Sequence, residues 1–409
     1  MSNDNFQHPT WIIVADDLTG ACDTGIQFVR KGLGTIIVTE AGGELGSLSE
    51  KTQDAIVINT DSRNDDGATA AAKLFRIGEA LKPYVGKSIF YKKVDSTLRG
   101  NIGAEAKALK GALGLDTVFF QPAYPQNGRT TVNGELRLNG VPVHLTDIAK
   151  DPLKPISTSS LKEILNESED DFISCDVLTD DDMKNAIARV LETRSAENVL
   201  WVGSAGLASV LTDVLGKKKL NPPVRSGANK KRVGSILGLV GSYHPINIAQ
   251  IEKARLDPNV TVIAPDVGEM TRSPQSAANA ILRDILSAME QKKDVLVVTA
   301  ITPEQRDGSK RDATTSARIA DFLSFVCRDT IQKTWDKELF ISGLYMTGGE
   351  VASRVLQALD VSELVPMREI ETGVPLLLAV NGSYNGLLVT KAGAFGGDES
   401  VIKILDALR

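Results

Sequence analysis

The chain contains few of the residues that build disulfide frameworks or metal sites. Its three cysteines, in 409 residues, lie far apart and form no CxxC pair, so the sequence indicates neither a disulfide scaffold nor a thiolate zinc site. The three histidines form no HExxH or HxH pattern, which argues against a histidine-built metal centre. We interpret Cys22, Cys175 and Cys327 as small buried side chains.

A basic excess and long apolar runs are also missing. The 46 Lys and Arg residues are outnumbered by 52 Asp and Glu residues, and the net charge of −6 does not suit binding to the phosphate backbone of nucleic acid. No apolar run reaches the ~18 residues that span a bilayer, and the N-terminus is mainly polar rather than a basic segment followed by an apolar run. We expect a cytoplasmic enzyme or binding protein that contacts neither nucleic acid nor a membrane.

The chain does contain an alternation of short apolar runs and helical patterns, beginning at residues 11–31. Unbroken apolar runs fit strands that helices cover on both faces, so the alternation is typical of a parallel sheet with crossover helices. Between residues 126 and 145, two Asn-Gly pairs instead predict a β-hairpin. From residue 235 onward the alternation starts again.

A segment between these two halves has a different composition. Residues 216–232 contain Pro-Pro, glycine and seven Lys or Arg residues, with almost no apolar periodicity. We therefore predict two α/β domains with largely parallel sheets around an interdomain cleft. The domains span residues 1–220 and 233–409, and the linker spans residues 221–232.

Three loops rich in polar residues follow apolar strands of the first domain, at residues 15–20, 59–63 and 91–101. Ligands of α/β sheets usually bind at the carboxyl ends of strands. The basic residues suit the charge of a small oxygenated anion, and the carboxylates and hydroxyls suit its hydroxyl groups. The adjacent carboxylates of Asp16 and Asp17 should raise each other's proton affinity, which suits one of them as a base. The alternative is that Asp17 only caps a helix, and that Arg63 is solvated.

Glycine loops take the place of charged loops in the second domain. Residues 240–242, 347–350 and 391–397 each precede a predicted helix, so their N–H groups would face phosphate oxygens. The alternative is ordinary turn chemistry. No GxxxxGK[ST] pattern occurs, which excludes a P-loop, and no GxGxxG follows a strand, which disfavours a dinucleotide site. Together with the polar loops, these loops indicate phosphoryl transfer.

At these motifs the chain resembles the four-carbon acid sugar kinases, a family once catalogued as a domain of unknown function. The matching stretches run from the first strand to the last helix: ADDLTGACDTG, NTDSR, YKKVDSTLRGN, YPQNGRT, NGVPV, VGSAGL, LVGSYHPINIAQI, MTGGEVA and VTKAGAFGGDESV. The resemblance implies an acid-sugar domain followed by an ATP domain. It also implies phosphorylation of the terminal hydroxyl of a tetronate, with ATP and Mg²⁺ as cofactors.

The resemblance further implies which residues form the sites. The substrate contacts would come from Asp16, Asp17, Arg63, Lys93, Asp95, Ser96 and Thr97, and the ATP contacts from Ser242, Gly348, Gly349, Glu350 and Gly393. We name Asp17 first and Asp95 second as the catalytic base, and Glu350 as a residue that helps to place Mg²⁺. Arg63 and Lys93 would clamp the carboxylate or the transferring phosphoryl group.

On this basis we expect phosphorylation of the 4-hydroxyl of D-threonate, ahead of D-erythronate and 3-oxo-tetronate, giving 4-phospho-D-threonate and ADP. A rival from another class is a non-catalytic sugar-acid binding protein, since two α/β domains around a cleft also describe sugar receptors. A second rival is an aldolase or epimerase, which would give no reason for the glycine loops. A homodimer is left open.

Overall fold

The structure is a computed structural model that describes residues 10–39, 48, 51–151, 154–165, 172–215, 234–242, 244–299, 313–393 and 395–409. The chain divides into two compact units, Met1–Val224 and Arg225–Arg409. Each unit is an α/β structure, as predicted. The predicted linker, residues 221–232, lies outside the described residues, and the cleft between the domains stays a prediction.

The first unit is built on a parallel sheet whose apolar strands are buried. Its strands are β1 (Trp11–Ala15), β2 (Thr35–Val38), β3 (Ala55–Asn59), β4 (Ile89–Lys93), β5 (Thr117–Gln121), β9 (Phe172–Ile173) and β10 (Val199–Gly203). They are ordered β2-β3-β1-β4-β10-β5-β9, and each neighbouring pair is parallel. Helices on both faces explain why the strands carry continuous apolar runs.

The helices of the first unit are α1 (Leu18–Arg30), α2 (Gly67–Leu81), α3 (Ile102–Leu113), α4 (Leu161–Leu165), α5 (Asp180–Leu191) and α6 (Ala205–Leu215). The predicted β-hairpin is confirmed as a small antiparallel sheet of β6 (Arg129–Val132), β7 (Glu135–Leu138) and β8 (Val141–Pro142). Asn133 and Asn139 turn the chain with φ of 54° and 50°, and each is followed by a glycine with positive φ.

The second unit contains β11 (Ser235–Val240), β12 (Val260–Ile263), β13 (Asp294–Val298), β14 (Ile341–Thr347), β15 (Glu363–Glu371), β16 (Val374–Val380) and β17 (Leu387–Lys391). Its strand order is β12-β13-β11-β14-β17-β16-β15, parallel as far as β17 and antiparallel beyond it. Its helices are α7 (Pro245–Ala254), α8 (Val267–Arg272), α9 (Pro274–Glu290), α10 (Ala313–Asp336), α11 (Gly349–Ala358) and α12 (Ser400–Leu408). Across the described ranges, no helix is both long and apolar enough to cross a bilayer.

Two features differ from the sequence expectations. The antiparallel pair β15–β16 was not predicted, because Pro366 interrupts the strand pattern and coincides with an irregular register. The apolar run at residues 172–178 forms only the short strand β9. Its continuation contacts the hairpin instead, since both carboxylate oxygens of Asp176 accept backbone N–H groups, those of Asn133 and Gly134.

Candidate active site

The loops after β1, β3 and β4 lie side by side, because β1 is placed between β3 and β4 in the first sheet. The chain order reverses here: β2 and β3 extend the sheet on one side of β1, and β4 extends it on the other. The crevice at such a reversal is the usual ligand site of an open α/β sheet. The structure therefore brings the three polar loops of the first domain to one edge.

Arg63 joins the two aspartates of the first loop. Its Nε and Nη2 atoms donate to the two carboxylate oxygens of Asp16 at 2.8 and 2.9 Å, and Nη2 also donates to Asp17 Oδ1 at 2.6 Å. Asp17 Oδ1 also accepts the N–H of Gly20 at 2.9 Å, which makes Asp17 the N-cap of α1. Asp17 Oδ2 accepts no hydrogen bond from the residues that the structure describes. Capping thus uses one oxygen and leaves the other for a ligand.

The guanidinium of Arg63 changes the proton affinity expected for the aspartate pair. Burial alone would raise the pKa of Asp16, but the charges of Arg63, Lys92 and Lys93 and the hydrogen bonds from Arg63 lower that pKa below its ordinary value. The expectation that adjacent carboxylates raise each other's proton affinity is therefore wrong for Asp16, because a cation bridges the pair. Asp16 stays ionised at neutral pH and orients Arg63.

Asp95 is held by more donors than either residue of that pair. Arg99 Nε and Nη2 donate to its two oxygens at 3.0 and 2.9 Å, and Thr97 donates through both its backbone N–H and its hydroxyl. Burial opposes ionisation, but the charges of Arg99 and Arg63 and these hydrogen bonds hold the pKa of Asp95 well below its ordinary value. Such a carboxylate is a weak base, which argues against Asp95 as the group that takes a proton.

Lys93 and Ser96 have hydrogen-bonding capacity to spare. Within the described ranges, Lys93 Nζ donates only to the carbonyl oxygen of Val94, at 2.7 Å. It lies beside the start of α1, since a Cβ placed on Gly20 would be 2.9 Å from Lys93 Nζ and 2.5 Å from Asp17 Oδ1. The partly exposed Ser96 hydroxyl has no partner in the same part of the chain. These groups suit an anionic, hydroxylated ligand.

A buried network that the sequence did not predict supports this edge. Lys92 Nζ lies 2.7 Å from Glu105 Oε2, and Ser62 Oγ donates to Glu105 Oε1 at 2.6 Å. All three side chains are buried. Glu105 thus ties α3 to β4 and to the loop after β3. Arg99, which orients Asp95, was also missed, although it lies within the YKKVDSTLRGN stretch.

In the second unit, β14 lies between β11 and β17, so the three glycine loops lie at adjacent strand ends. Gly348 is the N-cap of α11 with φ of 101°, a region that favours glycine, whereas Gly349 and Glu350 begin the helix. Ser242 and Gly393 are in close contact, because a Cβ placed on Gly393 would be 2.2 Å from Ser242 Oγ. Gly393 lies in the loop ahead of α12, which begins only at Ser400.

No group of three or more His, Cys, Asp or Glu side chains that could hold a metal ion occurs in the described part of the chain. Mg²⁺ usually keeps several waters and binds one or two carboxylates together with the phosphates of a substrate, so it needs no protein cage. Glu350, at the candidate nucleotide site of the second unit, is a carboxylate that fits that requirement.

Two family models match the chain, the sugar-binding N-terminal domain over residues 11–172 and the nucleotide-binding C-terminal domain over residues 237–401. The chain is 30% identical to D-threonate kinase of Bordetella bronchiseptica, with 97% of each chain covered. It is 27% identical both to D-erythronate kinase of Heliobacterium modesticaldum and to 3-oxo-tetronate kinase of Pseudomonas fluorescens, with 97% of this chain and 96% of each relative covered.

A crystal structure of a Salmonella typhimurium protein shares the fold, with a TM-score of 0.75 at 20% identity over 96% of this chain and 98% of that chain. The fold and the matched domains define a two-domain sugar-acid kinase. The chain belongs to the four-carbon acid sugar kinase family, so the family predicted from its motifs is confirmed.

Proposed function

We propose that the protein transfers the γ-phosphoryl group of ATP to the 4-hydroxyl of D-threonate, giving 4-phospho-D-threonate and ADP. Relatives named D-threonate kinase, at 27–30% identity, support this substrate, and the names of other relatives supply D-erythronate and 3-oxo-tetronate as alternatives. The proposal rests mainly on the hydrogen bonding of the Asp17 carboxylate. Its Oδ1 atom is fixed by Gly20 and Arg63, and its Oδ2 atom accepts no hydrogen bond from the described chain.

Asp17 Oδ2 would accept the proton of the 4-hydroxyl as the hydroxyl oxygen bonds to the γ-phosphorus and the bond to the leaving ADP oxygen breaks. General base catalysis of this kind contributes about 10²–10⁴-fold in rate. Arg63 and Asp16 would hold Asp17 in place, and Asp95 would hold Thr97 and Arg99. Arg63 Nη1 lies 3.9 Å from Asp95 Oδ1 and donates no hydrogen bond within the described chain, so it would be the part of that guanidinium that binds the ligand.

Lys93, Ser96 and Thr97 would bind the sugar acid, with Lys93 supplying the positive charge for its carboxylate or for the transferring phosphoryl group. In the second unit, the backbone N–H groups at Gly349 and Glu350 open α11 and would face phosphate oxygens. The other candidate ATP contacts are the Ser242 hydroxyl and the backbone of Gly348 and Gly393. Mg²⁺, when bound with the nucleotide, would neutralise charge on the phosphates, with Glu350 as the carboxylate that would help to hold it.

The test uses the full-length protein with ATP, Mg²⁺ and three acids: D-threonate, D-erythronate and 3-oxo-tetronate. We expect ADP release with the highest kcat/KM for D-threonate, and phosphorus NMR should place the phosphate on the 4-oxygen. No ADP release with any of the acids would favour a binding protein instead. A higher kcat/KM for another tetronate would make that acid the preferred substrate, and the protein would still be a tetronate kinase.

The neighbours Lys92 and Lys93 offer a matched pair of substitutions. Lys93→Met should raise KM for the sugar acid at least about tenfold, because a lost hydrogen bond to a charged group costs roughly 1.5–3 kcal/mol. Its unfolding free energy should change little. Lys92→Met should instead destabilise the fold by about 3–5 kcal/mol, since it leaves Glu105 buried without its counter-charge. Urea unfolding and initial-rate kinetics separate the two. A normal KM in Lys93→Met would remove Lys93 from the substrate site.

A further inference from the structure

One buried amide connects two of the glycine loops of the second unit. Asn247, in the first turn of α7, donates from Nδ2 to Ser242 Oγ at 2.8 Å and to the carbonyl oxygen of Gly393 at 2.7 Å. Its Oδ1 atom accepts from Lys391 Nζ at 2.8 Å. The side chain of Asn247 is buried, which shields its end of these hydrogen bonds from bulk water.

Lys391 completes the connection from the end of β17. Besides Asn247 Oδ1, its ammonium donates to the carbonyl oxygens of Phe395 at 3.0 Å and Ala392 at 3.4 Å. Its three N–H donors are thereby used by three oxygens, and none is left for a phosphate. Burial lowers the pKa of Lys391 to about 8, against the opposing charge of Glu371. Burying this cation is costly, and the fold keeps it at the junction of the loops.

The loops themselves have little with which to fix their own geometry. Gly393 has no side chain, and there is no room for one, since a Cβ there would be 2.2 Å from Ser242 Oγ and 3.5 Å from Asn247 Nδ2. The Ser242 hydroxyl accepts from Asn247 and from the N–H of His244, at 3.3 Å. A hydroxyl that accepts from two N–H groups points its own hydrogen away from both. Asn247 therefore connects the two loops and limits the direction in which Ser242 can donate. Gln250, on the same helix, holds only the second loop, donating to the carbonyl oxygens of Gly397 at 2.8 Å and Phe395 at 3.4 Å.

We propose that Asn247 and Lys391 are positioning residues for the nucleotide, which hold the Ser242 hydroxyl and the Gly393 backbone in the arrangement that binds phosphate. This inference rests on the nucleotide half of the proposed function. Neither side chain touches the ligand. Asn247 fixes the two loops through its donors, and Lys391 fixes Asn247 through its acceptor.

The test measures ADP binding by calorimetry and steady-state kinetics on the full-length protein and three variants. Asn247→Leu removes both halves of the amide. Asn247→Asp keeps an acceptor for Lys391 and loses the donors to Ser242 and Gly393. We expect both to raise Kd for ADP and KM for ATP at least tenfold, with KM for the sugar acid changed less than twofold. Ile251→Ala is the matched control, because Ile251 is buried on the same helix and packs in the core of the unit.

Ile251→Ala should lower Tm and leave Kd for ADP within about twofold. If Asn247→Leu binds ADP as tightly as Ile251→Ala at equal loss of Tm, the residue is only structural and the proposal is wrong. Full ADP affinity in Asn247→Asp would also overturn it, because the donors to the loops would then be dispensable. Should Asn247→Leu fail to fold, Asn247→Asp still decides. Absence of ADP binding in the unsubstituted protein would overturn the proposed nucleotide site itself.

Discussion

Replacing Asp17 by asparagine is expected to lower kcat by about 10²-fold or more while the protein stays folded and binds ATP normally. The reason is that the two carboxylate oxygens have different hydrogen-bonding roles. Oδ1 caps α1 and accepts from Arg63, and Oδ2 has no donor within the described structure. Only Oδ2 is available to take the proton of a substrate hydroxyl, and an amide cannot take it.

Asparagine is suited to this test because it caps helices about as well as aspartate. Its carbonyl oxygen can accept from the Gly20 N–H, and Arg63 keeps both hydrogen bonds to Asp16. The fold should therefore lose little free energy, and the loss should appear in kcat. If Asp17 were only a cap, the pattern would reverse: Asp17→Ala would cost about 1 kcal/mol of stability, and Asp17→Asn would turn over at the normal rate.

Asp266 supplies the matched control for this substitution. It is the N-cap of α8 and accepts the N–H of Glu269 at 3.0 Å, so it has the capping role of Asp17 at a place with no assigned chemistry. Asp266→Asn should leave kcat and both KM values unchanged. Single-turnover measurements with saturating ATP would show whether the chemical step has slowed in Asp17→Asn. An unchanged single-turnover rate would remove Asp17 as the base.

Local sequence patterns predicted much of the fold. The runs WIIVA and TVFFQ became buried parallel strands, because a strand covered on both faces accommodates consecutive apolar residues. The two Asn-Gly pairs marked both turns of the small antiparallel sheet, since each requires positive φ. The β15–β16 pair escaped prediction because Pro366 breaks the pattern that marks a strand.

The composition of the first site was predictable, and its electrostatics were not. The sequence placed Asp16 and Asp17 together and suggested mutual repulsion. The structure places Arg63 against both, although 46 positions separate it from Asp17. Ser62 and Glu105 are separated by 43 positions, so their hydrogen bond could not be predicted from the sequence either. Such contacts depend on which strands become neighbours, and spacing along the chain does not contain that information.

The second site shows the same limit more strongly. Lys391 and Asn247 lie 144 positions apart, and the local sequence around each gives no sign of their hydrogen bond. Lys391 ends a strand, and Asn247 lies on a helix whose remaining buried positions are mostly apolar. Only the adjacency of β11, β14 and β17 brings them together. The roles of the candidate ATP residues stay predictions that substitutions can test.

The structure shows that Gly348 and Gly349, which the sequence analysis assigned the same role, differ in backbone conformation. Gly348 has φ of 101°, so any side chain there strains the backbone. Gly349 is the first residue of α11 and has no positive φ, so its conformation is open to any L-residue. A substitution at Gly348 therefore mixes folding with ligand binding. A substitution at Gly349 imposes no such strain on the backbone.

Gly349→Val should abolish kinase activity at ordinary ATP concentrations by raising KM for ATP, with the Kd for the sugar acid and the Tm little altered. Phosphate oxygens are expected to approach the N–H groups at the start of α11 closely, and a branched side chain would stand in their way. Gly67→Val is the control, because Gly67 is also the first residue of its helix, α2, and a Cβ there meets nothing within 4 Å. Thermal unfolding and separate titrations with ATP and sugar acid distinguish the outcomes. A folded Gly349→Val protein with normal ATP affinity would show that phosphate does not bind at this helix, and the loops at Ser242 and Gly393 would then have to hold it.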